Sequence, residues 1–252
     1  MAEPLLRVEH VSKRFGGLLA LDRASFTAES GRITALIGPN GAGKTTLFAI
    51  ISGFLRANGG SIVYGGAGIA GEPPHRLARR GIARTFQIAQ PFTGLTVCEN
   101  IAVGAYLSRS SRANALAAAA DVARAVGLSD LLDYPASSLT VAGRKRLELA
   151  RALAIEPRLL LLDEVLAGLN PSEIRDMVPV IRSICDHGIT IVMIEHVMQA
   201  VMSLAERVFV LAEGRIIADG SPHAIASDTH VVEAYLGRGA ASRMLATGVP
   251  HA

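Results

Sequence analysis

A glycine-rich segment between an apolar run and an amphipathic stretch is the feature that most constrains this chain. Residues 38–46 read G-P-N-G-A-G-K-T-T and follow the apolar run 33–37. Glycines let the backbone turn tightly, so that successive N–H groups and the dipole of the next helix favour one bound anion. The pattern therefore predicts a phosphate-binding loop made of Gly38, Pro39, Asn40, Gly41, Ala42, Gly43, Lys44, Thr45 and Thr46.

Two side chains of this loop have predicted tasks. Lys44 is expected to reach the β- and γ-phosphates of a nucleotide, and Thr45 to offer its hydroxyl to Mg²⁺. The alternative is a glycine-rich turn that ends in Lys-Thr by chance. The strand pattern before the loop and the helical periodicity after it argue against that alternative.

Three apolar runs predict the fold class. They are residues 33–37, 159–162 and 189–194. Asp163 and Glu164 follow the second run, and Glu195 and His196 follow the third. Continuous apolar runs fit strands buried on both faces of a parallel sheet, whose carboxyl ends share one edge. We therefore predict an α/β fold in which one edge gathers the loop and both polar pairs.

Other patterns predict an antiparallel flank and a helical subdomain around this parallel-sheet core. Strands are predicted at 5–11, 25–28, 208–211 and 215–218, the last two as a hairpin. Helices are predicted at 112–126, 144–155 and 171–187.

Composition narrows the class of protein. Half of the 252 residues are hydrophobic, but no uninterrupted apolar stretch reaches the roughly 18 to 20 residues that span a bilayer. The N-terminus shows no secretory signal, so a cytoplasmic protein is expected. Cys98 and Cys185 match no metal-ligand spacing and are predicted to be free thiols. The net charge of +3 is mild and the basic clusters are short, so nucleic-acid binding is not expected.

The acidic pair after the second run has the setting of a catalytic site. Asp163 is predicted to help hold Mg²⁺, and Glu164 to polarise the attacking water. The alternative is a surface acidic pair that only caps the strand.

Across nearly its whole length the chain resembles the ATP-binding subunits of ABC transporters, which are P-loop NTPases. The resemblance is carried by an ordered series of motifs: Phe15, G-P-N-G-A-G-K-T-T, R-T-F-Q ending at Gln87, residues 139–153, L-L-L-L-D-E at 159–164, A-G-L-N at 167–170 and I-E-H ending at His196. It implies that Phe15 stacks on adenine, Gln87 contacts Mg²⁺ and the water, and His196 holds the γ-phosphate. Phe15 as a core residue, Gln87 as an ordinary loop amide and His196 as a structural histidine are the alternatives.

The signature motif of that family is altered here. In place of Leu-Ser-Gly-Gly-Gln, Thr140, Val141, Ala142 and Gly143 follow Leu139. The resemblance implies that these residues contact ATP held by a second subunit. Thr140 keeps a hydroxyl and the helix start keeps N–H donors, but the methyl group of Ala142 enters a place of close approach, so slower hydrolysis is possible.

Residues 15–21, 81–87, 91–100 and 232–237 resemble the LivG-type subunits of bacterial branched-chain amino-acid importers. The resemblance implies a peripheral ATPase on the cytoplasmic face of the membrane, with permease subunits, a second ATP-binding subunit, identical or not, and, indirectly, a periplasmic solute-binding protein as partners. Apolar residues Phe86, Ile88, Phe92 and Leu95 in a predicted loop fit either a docking patch for the permease or local burial.

The expected organisation is one ABC ATPase domain over residues 1–237, with a helical subdomain at about 88–156 and a flexible tail at 238–252. A weakly hydrolysing partner subunit and an importer of amides or urea remain alternatives. A chromosome-organising ATPase would need long heptad arms, and a translation-associated ABC protein two such domains. A phosphate-loop kinase would not need the later motifs.

Overall fold

The computed structural model describes residues 4–86, 90–229 and 231. Within this part the strands are β1 (Leu6–Phe15), β2 (Leu18–Ala28), β3 (Ile33–Ile37), β4 (Gly59–Tyr64), β5 (Ala67–Gly68), β6 (Ile82–Arg84), β7 (Leu159–Asp163), β8 (Thr190–Ile194), β9 (Arg207–Ala212) and β10 (Arg215–Gly220). The helices are α1 (Lys44–Ile51), α2 (Pro74–Arg79), α3 (Val97–Ala105), α4 (Arg112–Ala125), α5 (Val141–Leu153), α6 (Pro171–Asp186), α7 (Met198–Leu204) and α8 (Pro222–Ala226).

A six-stranded sheet with the order β10-β9-β3-β8-β7-β6 forms the core. All neighbours in it run parallel except β9 and β10, which form an antiparallel hairpin at one edge. Every residue of β3, β7 and β8 is buried, because both faces of these strands are covered. The α/β prediction is confirmed, and the carboxyl ends of these strands lie along one edge.

A second, antiparallel sheet with the order β2-β1-β4-β5 flanks the first. The predicted flank is confirmed, but β1 and β2 extend well beyond residues 5–11 and 25–28. Along β2, buried positions alternate with more exposed ones, and the β1–β2 register shifts at several points. A search for continuous apolar runs misses such half-exposed strands.

Helices α3, α4 and α5 pack on one another beside the sheet. Ala115, Ala119 and Ala123 are buried at four-residue spacing along α4, where their small side chains allow close helix contact. Helix α5 begins at Val141, three residues before the predicted start, because Thr140 caps it. These helices fall in the predicted helical subdomain, whose limits stay a prediction; the predicted tail lies outside the described residues.

In the part of the chain that the structure describes, no helix combines the length and apolar character needed to cross a membrane.

Candidate nucleotide site

A cleft of about 1070 Å³ lies at the carboxyl edge of the parallel strands. It is lined by Phe15, Leu18, Leu19, Ala20, Asn40, Gly41, Ala42, Gly43, Lys44, Thr45, Thr46, Glu164, His196, Glu213 and Gly214. Strand ends from β3, β7, β8 and β9 meet there, because adjacent parallel strands finish side by side. The structure therefore brings most of the predicted loop together with Glu164 and His196.

The loop needs glycine at two of its turns. Gly38 and Gly43 have φ angles of 149° and 106°, which side-chain-bearing residues rarely adopt. A Cβ atom on Gly43 would lie 2.5 Å from the carbonyl oxygen of Ala20, and one on Gly38 would overlap that of Leu211. The loop is thus pressed against β2 and β9, and its backbone is fixed in a narrow turn at the start of α1.

Lys44 lies at the first position of α1 and is buried. Its Nζ donates hydrogen bonds to the carbonyl oxygens of Gly38 at 2.7 Å and Pro39 at 2.9 Å. Burial lowers the pKa of this ammonium group, while Glu164 and Asp163 partly oppose that change. The carbonyl contacts hold the charge under the loop, where an incoming phosphate can exchange with them.

Asp163 ends strand β7 in a buried position. Its Oδ2 accepts a hydrogen bond of 2.8 Å from the guanidinium of Arg84, and Oδ1 has no hydrogen-bond partner among the described residues. Burial raises the pKa of this carboxyl group and the Arg84 contact lowers it. Thr45 and Asp163 line a second cavity together with Arg84, so the two predicted Mg²⁺ ligands that the structure describes face one space.

Glu164 and His196 meet across the ends of β7 and β8. His196 Nε2 lies 2.7 Å from Glu164 Oε1. The φ angle of Glu164 is 52°, a left-handed conformation that is costly for a residue with a side chain. The strand end is held in this turn by the hydrogen bond from Glu164 N to the carbonyl oxygen of Ile194. The surface-pair alternative for Asp163 and Glu164 is wrong, since Asp163 is buried and Glu164 lines the cleft.

Glu195 is a buried carboxyl group for which the sequence predicted no task. Its Oε1 accepts a hydrogen bond of 2.9 Å from Leu166 N. Burial raises its pKa to about 7, against the hydrogen bonds from the backbone N–H groups of Leu166 and His196. This side chain joins the end of β8 to the segment that follows Glu164. The sequence signal that could have drawn attention to Glu195 is its position directly before His196.

Helix α5 reaches the same region through Lys145 and Glu148, which lie three residues apart on one face. Lys145 Nζ donates to the carbonyl oxygen of Glu164 at 3.1 Å, and Glu148 accepts a hydrogen bond from Phe86 N. These contacts were not predictable from the sequence, because both residues fit a solvated helix face equally well. The structure buries both.

Phe15 is 44% exposed and lies outside the core clusters. The core alternative for Phe15 is therefore wrong. With Leu18 and Leu19 it forms an apolar wall of the cleft, of the kind that packs against a flat heterocycle.

The altered signature forms the start of α5. The hydroxyl of Thr140 accepts a hydrogen bond of 3.2 Å from Gly143 N, and Val141 is 55% exposed. A Cβ atom on Gly143 would lie 3.3 Å from the side chain of Leu139, so a larger residue here would require a small shift of that side chain. Among the described residues that line the cleft, none belongs to this group of four, and Gln87 and Ile88 lie outside the described residues.

The chain is similar to proteins of known type over most of its length. The ABC transporter family matches residues 21–167, and the branched-chain amino acid ATP-binding cassette transporter family matches residues 215–241. The high-affinity branched-chain amino acid transport ATP-binding protein BraF of Pseudomonas aeruginosa is 37% identical over 94% of this chain and 99% of its own length. The corresponding protein LivG of Escherichia coli strain K12 gives the same values.

Solved structures agree with this. A nucleotide-free ATP-binding cassette from an ABC transporter has a TM-score of 0.86 and 33% identity, covering 94% of this chain and all of that one. The ADP conformation of an ABC transporter cassette matches with the same values. The site geometry, the fold and these matches agree, and the chain belongs to the ATP-binding ATPase subunits of the ABC transporter family.

Proposed function

We propose that this chain binds and hydrolyses ATP to power a bacterial ABC importer for branched-chain or other amino acids. One observation carries the enzymatic part. The phosphate-binding loop, Asp163 and the Glu164–His196 pair converge at one edge of the parallel sheet. The amino-acid substrate is proposed because the relatives are named as branched-chain amino acid transport proteins and the second family match carries the same description.

One part of the cleft is apolar and another presents backbone amides and a lysine, which matches the apolar base and the charged phosphates of ATP. The adenine ring is proposed to stack on Phe15 beside Leu18 and Leu19, at the apolar end. The phosphates are proposed to lie over the loop, where the α1 N-terminus lacks a side-chain cap and presents its amide groups. Lys44 then exchanges its carbonyl contacts for phosphate oxygens.

The residues present also fit Mg²⁺. A hard cation prefers oxygen ligands, and Asp163 offers a buried carboxylate oxygen without a hydrogen-bond partner among the described residues. Thr45 faces the same cavity, and Gln87 is proposed as a further ligand. Bound there with ATP, the ion would neutralise phosphate charge.

Hydrolysis is proposed to use Glu164 and His196. Glu164 orients the attacking water and accepts its proton, and the left-handed backbone directs its side chain into the cleft. His196, at hydrogen-bond distance from Glu164, is placed to hold the γ-phosphate when ATP enters. The contact between the two side chains keeps both oriented before the substrate arrives.

The proposed partners are transmembrane permease subunits, a second ATP-binding subunit and, indirectly, a periplasmic solute-binding protein. Phe86 and Phe92 are each 45% exposed beside α5, which supports the docking interpretation of this loop over local burial. Closure of two subunits over ATP would drive the permeases, because a ligand shifts an equilibrium toward the state it binds more tightly. The subunit is proposed to sit on the cytoplasmic face of the membrane.

The second candidate function is a weakly hydrolysing partner subunit in an asymmetric complex. It is favoured by one observation: α5 presents the exposed side chain of Val141 where the family has glycine. Amides or urea remain the alternative solutes.

One experiment tests the proposed function. ATP turnover by the wild type is compared with that of Glu164→Gln, and size-exclusion chromatography in ATP reports dimers. The wild type is expected to hydrolyse ATP, and the variant to lose at least about a hundredfold in turnover while accumulating as an ATP-bound dimer. ATP binding with neither turnover nor dimers would favour the second candidate, and the absence of ATP binding would refute both.

A further inference from the structure

Arg84 is a buried cation next to the nucleotide site that the proposed chemistry leaves without a task. It ends strand β6, and only 8% of its side chain is exposed. A buried guanidinium is costly unless its hydrogen bonds and charge are compensated. The groups that contact and compensate the Arg84 guanidinium therefore indicate its role.

Polar contacts direct one side of Arg84 at Asp163. One terminal nitrogen donates to Asp163 Oδ2 at 2.8 Å, and the other donates to the hydroxyl of Ser52 at 3.1 Å. Ser52 is itself fixed, because its hydroxyl donates to the carbonyl oxygen of Phe48 at 2.6 Å. The guanidinium is thus anchored to the end of α1 and holds one oxygen of the carboxylate.

Aromatic rings hold the rest of the guanidinium. Its central carbon lies 5.9 Å from the ring centroid of Phe48, 6.0 Å from that of Phe54 and 5.3 Å from that of Phe86. Phe54 and Phe86 also contact each other edge to face, with centroids 5.6 Å apart. These contacts stabilise the cation and offset part of the cost of its Nε, which is buried without a hydrogen-bond partner among the described residues.

The contacts that fix Arg84 also restrict the side chain of Asp163. With Oδ2 held by Arg84, the carboxylate cannot rotate freely, and Oδ1 stays buried without a hydrogen-bond partner among the described residues. Asp163 and Thr45 line one cavity. Partners that hold the ligands of a metal commonly set the affinity of the site, because they fix the orientation of the first ligand.

We propose that Arg84 is a positioning residue of the ATPase site, which fixes the Asp163 carboxylate for a divalent cation while Phe54 and Phe86 hold its guanidinium. This proposal rests on the proposed Mg²⁺ site. It adds a residue that acts through Asp163 and touches neither ATP nor the water.

The test measures ADP affinity with Mg²⁺ and with EDTA by equilibrium titration. In the wild type, Mg²⁺ is expected to tighten ADP binding. Arg84→Met is expected to reduce that gain about tenfold and to leave affinity in EDTA unchanged, since only the cation ligand is disturbed. Arg84→Lys keeps the charge and is expected to recover part of the gain.

Two further variants keep the test decisive if Arg84→Met does not fold. Phe54 and Phe86 are exposed by 53% and 45%, so Phe54→Leu and Phe86→Leu should fold. Each is expected to reduce the Mg²⁺-dependent gain about threefold by removing one ring contact. Arg158→Met serves as the control, because Arg158 also stacks on a ring, that of Tyr64, with the guanidinium carbon 5.9 Å from the ring centroid.

The outcomes separate this proposal from the proposed function. An unchanged Mg²⁺-dependent gain in Arg84→Lys and in both phenylalanine variants would overturn the positioning role while nucleotide binding stands. A wild type that binds no ADP would instead refute the nucleotide site itself. A loss in Arg158→Met equal to that in the Arg84 variants would show a general effect of charge and overturn the proposal.

Discussion

Among single side chains, Glu195 links the stability of this fold to pH. Its pKa rises to about 7 in the folded chain, so the native state keeps a proton that the unfolded state has already released above its ordinary pKa of 4.5. The folded state binds more protons across this window, and the free energy of unfolding therefore falls as pH rises through it. The full change is about 3 kcal/mol for a shift of this size.

The measurement is urea unfolding of the wild type and Glu195→Gln at a series of pH values. The stability of the wild type relative to the variant is expected to fall by about 3 kcal/mol between about pH 5 and pH 8, since the amide does not titrate. Glu156→Gln, which removes a carboxylate from an exposed position, is the control. A difference between wild type and Glu195→Gln that stays constant with pH would contradict the prediction.

Among helices, α5 connects the altered signature to the strand ends that carry the proposed catalytic residues. Glu148 accepts the backbone N–H of Phe86, and this bond crosses from α5 to the segment after β6. Glu148→Leu is expected to lower the free energy of unfolding by about 2 kcal/mol, because it removes a hydrogen bond to a charged acceptor. It is also expected to speed amide exchange in the peptide that contains Phe86, measured by mass spectrometry.

Glu148→Gln is the matched variant, because its amide oxygen can still accept the bond from Phe86. It should lose less stability than Glu148→Leu and keep slow exchange. Equal losses in both variants would show that charge, and not the Phe86 bond, accounts for the stability.

The elements that the sequence revealed are those with a strong local signal. Strand β3 was predicted with its observed bounds, and β7 and β8 within one residue, because strands buried on both faces are apolar at every position. Helix α3 was missed although Thr96 and Glu99 form a capping box at its start. Strand β6 has three residues, too few for any periodicity.

The site residues that belong to local sequence motifs were predictable. Those that are positioned by contacts between distant parts of the chain were not. Lys44, Asp163, Glu164 and His196 belong to motifs at strand ends, and the structure places them around adjoining cavities. Arg84 acquires its surroundings only when β6 pairs with β7 beside α1. Contacts between residues 32 and 79 positions apart, such as Arg84 with Ser52 and Asp163, leave no local pattern.

At the scale of the whole subunit, the proposed closure of two subunits over ATP predicts complementation between two inactive variants. Val141→Asp is expected to place a negative charge beside the phosphates bound by a facing subunit. The helix should tolerate this change, because an acidic residue in the first turn of a helix interacts favourably with the helix dipole. Lys44→Ala removes phosphate binding but keeps the signature. Each variant alone is expected to lack turnover. An equal mixture is expected to recover about a quarter of wild-type turnover, because half of the dimers pair one intact loop with one intact signature.

Val141→Asn is the matched control, since it introduces polarity of similar size without charge and is expected to retain most of the turnover. The concentration dependence of the mixture separates hydrolysis by a dimer from hydrolysis by a single chain. Turnover of the mixture that rises with the square of protein concentration at low concentration would show that the active species is a dimer. Recovery of turnover in that mixture would show that α5 of one chain acts on the loop of another. A wild type that is active while the mixture stays inactive at every ratio would mean that each chain hydrolyses ATP alone, and the proposed closure of two subunits over ATP would be wrong for this subunit.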